Sequence, residues 1–409
     1  MSITLRLAWR NIWRHPRRTL LTSSAIAFAA AILVFMVTLQ RSSYDKMIDF
    51  TLRLYHGHLQ VQSEGYLDKP QIRNTIPDAR ALASRMRRLS GSASLSVRAM
   101  GFALASSKER SYGVQVLGVE TENESHVSTI PGLVKKGRFL SSDDAQEAII
   151  GYLLARNLKL NVGGELTLLG TGRDGSVAAT VVPVVGIFES GSADLDRQLV
   201  QLPLGAFQDV FSMGNHGHTI VVVGESLEHL EELRRAVRSG LPPESSLVVL
   251  NWEALLPGLK QAIQMDWVSG WFLYASLIII VSFSILNTFL MSVLERTREF
   301  GIMLALGARP GHIGVLVIVE AVWLTLLGLA VGVVIGTATV IYFHIYGFSY
   351  PGMEELAAHY NMPAVIHLAL SPLSLTLGPA VILLVTCAAA LYPALRIRLL
   401  KPVDAMKAV

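Results

Sequence analysis

The stretch "ERTREFGIMLALGARPGHI", residues 295–313, separates two long apolar runs. It opens with Glu295, Arg296, Arg298 and Glu299, then turns almost wholly apolar through Gly301, Ile302, Met303, Leu304, Ala305 and Leu306 before Gly307, Ala308 and Pro310. Glycine followed by proline is the usual order of helix-ending signals, so the stretch reads as a short helix with a charged shoulder and an apolar stub. Glu295 and Arg298 have the i,i+3 spacing of an ion pair. Burial in lipid would satisfy the stub alone; docking in a groove of another protein accounts for the shoulder as well.

The runs on either side set the class. The chain has 409 residues, 51% hydrophobic and 16% charged, with a mean hydropathy of +0.45. That is too apolar and too poor in charge for an ordinary soluble protein. Apolar runs at 20–39, 267–294, 313–346 and 373–395 each reach the roughly 20 residues that cross a bilayer. Four transmembrane helices are therefore expected, within segments 19–40, 267–294, 313–346 and 373–395. The second run, at about 1.5 Å per residue, would be roughly 42 Å long, beyond a hydrocarbon core of about 30 Å. It should emerge from the membrane and pair with a helical continuation of the first span over 41–55 as a two-helix stalk.

Charge supplies the orientation. Arg6, Arg10, Arg14, Arg17 and Arg18 precede the first span, Arg296, Arg298 and Arg309 lie in the connector 295–312, and Arg396, Arg398, Lys401 and Lys407 lie in the tail 396–409. The loop 347–372 carries no Lys or Arg. Both termini and the connector are thus expected in the cytoplasm. Residues 1–18 read as an interfacial amphipathic helix with Trp9 and Trp13 at the head-group boundary. The apolar run continues beyond the Ala-x-Ala pattern at 25–29, so the first span is expected as an uncleaved anchor.

Segment 41–266 is the large external domain. It holds 23 Lys and Arg against 25 Asp and Glu, so the net charge of +4 arises on the cytoplasmic flanks, where it suits anionic lipid head groups and acidic partner surfaces, not nucleic acid. Strands are expected at 58–63, 112–119, 165–170, 179–188 and 219–224, and helices at 77–89, 147–158 and 226–240, the last with Ser226 as N-cap. This is an α+β domain. The single cysteine, Cys387, falls in the fourth span, so no intrachain disulfide can staple it.

No G-x-x-x-x-G-K-[ST], H-E-x-x-H or G-x-S-x-G occurs, and no enzymatic site is expected. Two His-x-His triplets, His56-Gly57-His58 and His216-Gly217-His218, each precede a predicted strand. They read as solvated strand ends, or as a metal pincer were a third ligand to arrive, and no metal site is assigned. Gly328, Gly332 and Gly336 form a smooth ridge in the third span, suited to close packing within the subunit or across a dimer seam. Glu320, about two turns into that span, is expected to be hydrogen-bonded, with a proton relay as the alternative.

The connector, followed by "VEAVWLTLLGLAVGVVIG" (319–336), resembles the signature of FtsX-like ABC permeases. "LAWRNIWRHPRRTLLT" (7–22), "ALYPALRIRLLKPVDAMK" (390–407) and the external stretch from "QVLGVETE" to "GGELTLLG" (115–170) are similar to other segments of the same family. Residues 184–211 look most like the lipoprotein-releasing permeases LolC and LolE, rather than MacB, which carries its ATPase fused. LolC's long carrier-recruiting hairpin is here the short "GTGRDGS" (170–176). The resemblance implies a type VII ABC permease of the bacterial inner membrane, with its large domain in the periplasm. Such a subunit is not itself catalytic and holds no cofactor: ATP and Mg bind a separate cytoplasmic ATPase dimer. The further partners implied are a second permease copy or paralogue, membrane lipids, a lipoprotein or other amphiphilic substrate, and a periplasmic protein.

ATP-driven motion would enter through Glu295, Arg296, Arg298, Glu299, Gly301, Leu304, Leu306, Gly307 and Ala308, with Leu304, Leu306 and Gly307 at the contact tip. The stalk would carry it outward to release the amphiphile from the outer leaflet. Phe28, Met36, Phe283 and Asn287 are the candidates for a substrate-facing surface. A drug or peptide exporter, an FtsX-like regulator of a cell-wall hydrolase, and a metal-sensing receptor are the alternatives.

Overall fold

The computed structural model describes residues 3–227, 229–243, 245–353, 357 and 364–397. The basic tail residues Arg398, Lys401 and Lys407, and residues 354–356 and 358–363 of the loop 347–372, lie outside the described residues. The chain divides into a helical unit (residues 1–44, 263–350 and 365–409) and a mixed unit (residues 45–262 and 351–364).

Among the described residues, four helices are long and apolar enough to cross a membrane. The first, α2 (Pro16–Thr51), continues as a π-turn over Leu52–His56. The others are α10 (Pro257–Glu295), α12 (Pro310–Tyr346) and α13 (Pro372–Ile397). The 39 residues of α10 make about 58 Å of helix, so it does outrun the hydrocarbon. In its N-terminal half, Asp266 accepts hydrogen bonds from Gln40 and Tyr44 of α2, and Tyr274 donates to Gln40 at 2.7 Å.

The amphipathic N-terminus is shorter than its sequence pattern implies. Helix α1 covers Ile3–Ile12, and a break at 13–15 lets Pro16 open α2, a first-turn position where its missing N–H costs nothing. The glycine ridge of α12 packs inside the subunit. A Cβ on Gly332 would lie 2.4 Å from the Ala27 carbonyl oxygen, and one on Gly328 would lie 2.7 Å from Ile26 Cβ. Gly336 approaches Val34 and Ala31 in the same way, so the two backbones meet where side chains are missing.

The mixed unit is built on a ten-stranded sheet in the order β10-β1-β9-β2-β3-β8-β5-β7-β4, with β6 pairing β2 and β7. The strands are β1 (Leu59–Ser63), β2 (Ser94–Ser106), β3 (Ser111–Val119), β4 (Val134–Gly137), β5 (Ala148–Gly151), β6 (Glu165–Thr171), β7 (Val177–Phe188), β8 (Leu199–Pro203), β9 (Thr219–Val223) and β10 (Leu247–Asn251). Among the described residues, only β3·β8 and β5·β7 are parallel pairs. The main core includes α3 (Ala79–Leu89) and α8 (Leu230–Ser239), and a second cluster gathers Leu54, Leu117, Ile130, Ile149 and Phe188. Gly118 leaves room for the stacked pair Phe207 and Phe211, because a Cβ there would come within 2.6 Å of Phe207.

Two sequence expectations need correction. Residues 147–158 are not one helix: Ala148–Gly151 is a fully buried strand and only Tyr152–Leu158 is helical. The apolar run suits either state until the sheet claims it. The helix expected from 226 begins at Leu230, because Ser226 Oγ contacts the His229 ring and does not cap the helix.

Candidate functional site

The connector begins where α10 ends at Glu295. Arg296 is the N-cap of α11 (Thr297–Ala305), and Leu306 ends it. Gly307 has φ +91°, and the N–H groups of Leu306, Gly307 and Ala308 return to the carbonyls of Ile302, Leu304 and Met303. A left-handed residue here lets the chain reverse into Pro310 and α12, which explains the glycine.

The apolar stub divides by burial. Phe300 is fully buried and Gly301 is buried, while Met303, Leu304 and Ala308 are half-buried against the core of the helical unit. Ile302 is 48% exposed and Leu306 83% exposed. Of the three residues expected at the contact tip, Leu304 is partly spent on intrachain packing, whereas Leu306 and Gly307 are exposed.

The charged shoulder differs from its sequence reading. Glu295 does not bond Arg298; it accepts from Arg18 at 2.8 Å, while Arg298 is exposed. Glu299 pairs with Arg14 at 2.6 Å and with Arg296 at 3.3 Å. Burial alone would raise the Glu299 pKa, but the hydrogen bonds from Arg14 and Arg296 bring it below the ordinary carboxylate value. Arg296 is itself buried. Its Nη1 lies 3.0 and 3.1 Å from the two Glu320 oxygens, and its guanidinium stands 5.0 Å from the Phe300 ring centre. Asn11 Nδ2 completes the carboxylate at 2.6 Å.

Glu320 is therefore a bonded buried acid. Through it and the exposed pairs, α1, the start of α2, the connector and α12 are joined by charge-assisted hydrogen bonds, roughly twice as strong as neutral ones. Such a connector is held at its root and open at its tip. Asn11, Arg14 and Arg18 were not among the expected site residues; the signal was their position in an Arg-rich segment facing the same bilayer boundary as the connector.

Phe28 and Met36 lie eight residues apart on α2, and Phe283 and Asn287 four apart on α10, so each pair shares a helix face. All four are exposed, Phe28 and Phe283 at 67% each.

The histidine triplets are not solvated ends. His58 and His218 are fully buried. His218 Nδ1 accepts from the Met100 N–H at 2.9 Å, and its Nε2 faces the Ile72 carbonyl at 3.1 Å. Burial pushes its pKa down from 6.5 to about 4. His58 serves a different junction, and among the described residues no group of three His, Cys, Asp or Glu could hold a metal.

Two families match the chain. The MacB-like periplasmic core domain covers residues 19–239, and the FtsX-like permease C-terminal domain covers residues 271–402. An uncharacterized ABC transporter permease of Methanocaldococcus jannaschii is 28% identical over half of each chain. The macrolide export ATP-binding/permease protein MacB of Nitrosomonas europaea is 25% identical over 81% of this chain and 51% of its own. The lipoprotein-releasing system transmembrane protein LolC of Neisseria meningitidis is 22% identical over 78% of this chain and 76% of its own. The chain spans about half the length of the first two of these relatives. Among solved structures, the periplasmic region of MacB from Actinobacillus actinomycetemcomitans aligns with a TM-score of 0.37 at 15% identity, covering 53% of this chain and 98% of that one. With one family matching more than half its length and the other most of the remainder, the chain belongs to the MacB-like, FtsX-like permeases: it is a membrane-spanning ABC transporter permease with an extracytoplasmic domain.

Proposed function

We propose that this chain works as a permease subunit by mechanotransmission. Both termini and the connector face the cytoplasm, and a partner ATPase docks on the exposed tip formed by Ile302, Leu306 and Gly307. Its ATP-driven closure moves the connector, and the helical continuations of α2 and α10 carry the motion to the extracytoplasmic domain. A lipoprotein, lipid or other amphiphile is thereby released from the outer leaflet of the bacterial inner membrane. Two permease copies or paralogues would form the working dimer.

The observation that carries this reading is the contrast within one short helix. Leu306 stands 83% exposed on an element whose root, Phe300 and the Arg296–Glu320 pair, is buried. An exposed leucine on a rigid root suits transmission of force from a partner, because a tip that yields would absorb the push. Purification from native membranes tests the proposal: an ATPase and a lipidated cargo should co-elute, and absence of any ATPase would overturn it.

A second reading is export of a drug-like or peptide substrate. The MacB relative aligns over slightly more of this chain, and at higher identity, than the LolC relative. The turn between β6 and β7, closed by the Gly172–Ser176 hydrogen bond, is also short, without LolC's protruding carrier-binding loop. A macrolide, and no lipidated protein, in the co-purified material would favour export.

A further inference from the structure

The end of the first-span helix is held in an unusual way. A helix leaves its last carbonyls without intrahelical partners, and they must be satisfied elsewhere. Here five successive carbonyls are all taken. Leu52 accepts from the Gly57 N–H at 2.7 Å and Arg53 from the Thr129 N–H at 2.9 Å. Leu54 accepts from Ser128 Oγ at 3.1 Å, Tyr55 from Arg98 Nη1, and His56 from Gln60 Nε2 at 2.7 Å.

Arg98 lies mid-sheet on β2, 2% exposed, and Glu124 at 0% exposed grips it with a two-pronged pair at 2.6 and 3.2 Å. A fixed guanidinium at the negative end of a helix dipole is both a cap and a counter-charge. The chain then enters β1 directly. Gly57 takes φ +71°, where a Cβ would lie 2.3 Å from Val221, and the His58 N–H donates to the Val222 carbonyl at 2.9 Å. His58 Nδ1 accepts from the Gly224 N–H at 3.1 Å, so the ring proton sits on Nε2 and reaches back 2.9 Å to Asp49 on the helix.

The other helix leaving this unit is joined differently. Helix α10 follows the single turn Trp252–Leu255, and the ion pair at its start, Lys260–Glu253, is local and about 40% exposed on each side. Gly258 meets nothing within 4 Å.

We propose that Arg98 and Glu124 are positioning residues that seat the end of the first-span helix in the sheet. That helix turns the extracytoplasmic domain as one body, through the seat at its end. The inference rests on the mechanotransmission reading above and assigns its drive to one of the two helices.

Hydrogen exchange of the full-length chain in detergent micelles tests it, with Arg98→Met/Glu124→Gln as the variant, since removing both partners strands no buried charge. In the wild type, amides at 52–58 should exchange as slowly as those of Thr219–Val223. In the variant they should exchange roughly tenfold to a hundredfold faster while Thr219–Val223 is unchanged. Fast exchange at 52–58 in the wild type, or no change in the variant, overturns the seat.

Should the double variant loosen the whole sheet, Arg98→Lys, which keeps the charge and loses the fork, should still open 52–58 selectively; unchanged exchange there overturns the proposal. With a co-purified ATPase, nucleotide-dependent protection changes in the domain should vanish in the variant while ATP hydrolysis continues, and their persistence refutes the drive assignment. If no ATPase co-purifies, the mechanotransmission reading fails, and the drive assignment fails with it, whereas exchange at 52–58 still decides the seat.

Discussion

Replacing Glu320 by Gln should cost far more than one surface ion pair. The Glu320 and Arg296 side chains are 7% and 11% exposed, and the carboxylate accepts from Arg296 at 3.0 Å and Asn11 at 2.6 Å. Without its charge, Arg296 keeps only Glu299 at 3.3 Å, a half-exposed partner shared with Arg14, and the face of Phe300. Breaking one side of a buried pair costs about 3–5 kcal/mol, and the remaining Glu299 contact places Glu320→Gln near the lower end. Arg296→Met strands the acid and should cost a similar amount. The double variant leaves no stranded charge and should cost well below the sum of the two single losses, so the double-mutant cycle should return a coupling of at least about 2 kcal/mol. Unfolding of the purified chain by SDS in mixed micelles measures all four corners. A coupling below about 0.5 kcal/mol, the scatter of independent sites, would refute the claim that the connector is rooted through this pair.

Three further outcomes follow from the geometry. Gly332→Ala should destabilise the helical unit by about 1–3 kcal/mol in the same assay, because the clash is with the Ala27 backbone and cannot relax by a rotamer change; a neutral result contradicts the packing. His218 is held neutral by burial, its pKa about 4 against 6.5 when unfolded, so between those values the unfolded chain binds more protons. His218 alone should therefore make stability fall as pH drops from about 6.5 toward 4, by at most about 3 kcal/mol, and His218→Gln should remove that share of the slope and leave the share of His56, which burial also lowers to about 4; an unchanged slope is the contrary result. Leu304→Asp should lower stability by about 2 kcal/mol or more, whereas Leu306→Asp should leave it within about 0.5 kcal/mol, since only Leu304 packs against the core.

The spans and the α+β character of the external domain were legible because length and apolar composition are local signals. Strands such as Ser111–Val119 and Glu165–Thr171 showed themselves by alternation and turn residues. Strand β2 did not: "SLSVRAMGFALAS" is built largely of Ser, Ala and Gly, which announce neither state. In hindsight a lone Arg inside an apolar stretch asked for a buried partner, but Glu124 lies in a short helix across the sheet, beyond any local spacing rule. The connector's helix and its glycine stop were readable, and its partners were not. Arg18 meets Glu295 across 277 positions of sequence, and an i,i+3 rule could only offer Arg298 in its place. The histidine triplets misled because spacing describes geometry and says nothing of burial.

In the proposed mechanism an ATPase engages the exposed tip of the connector. The most direct test is pull-down of the Leu306→Asp chain from native membranes beside the wild type, with detergent-extracted, correctly inserted protein matched in amount. An 83%-exposed leucine buried on docking contributes about 1.5–3 kcal/mol, so a charge there should cut ATPase recovery at least about tenfold with the fold unchanged. Full recovery of the ATPase with Leu306→Asp would contradict the claim.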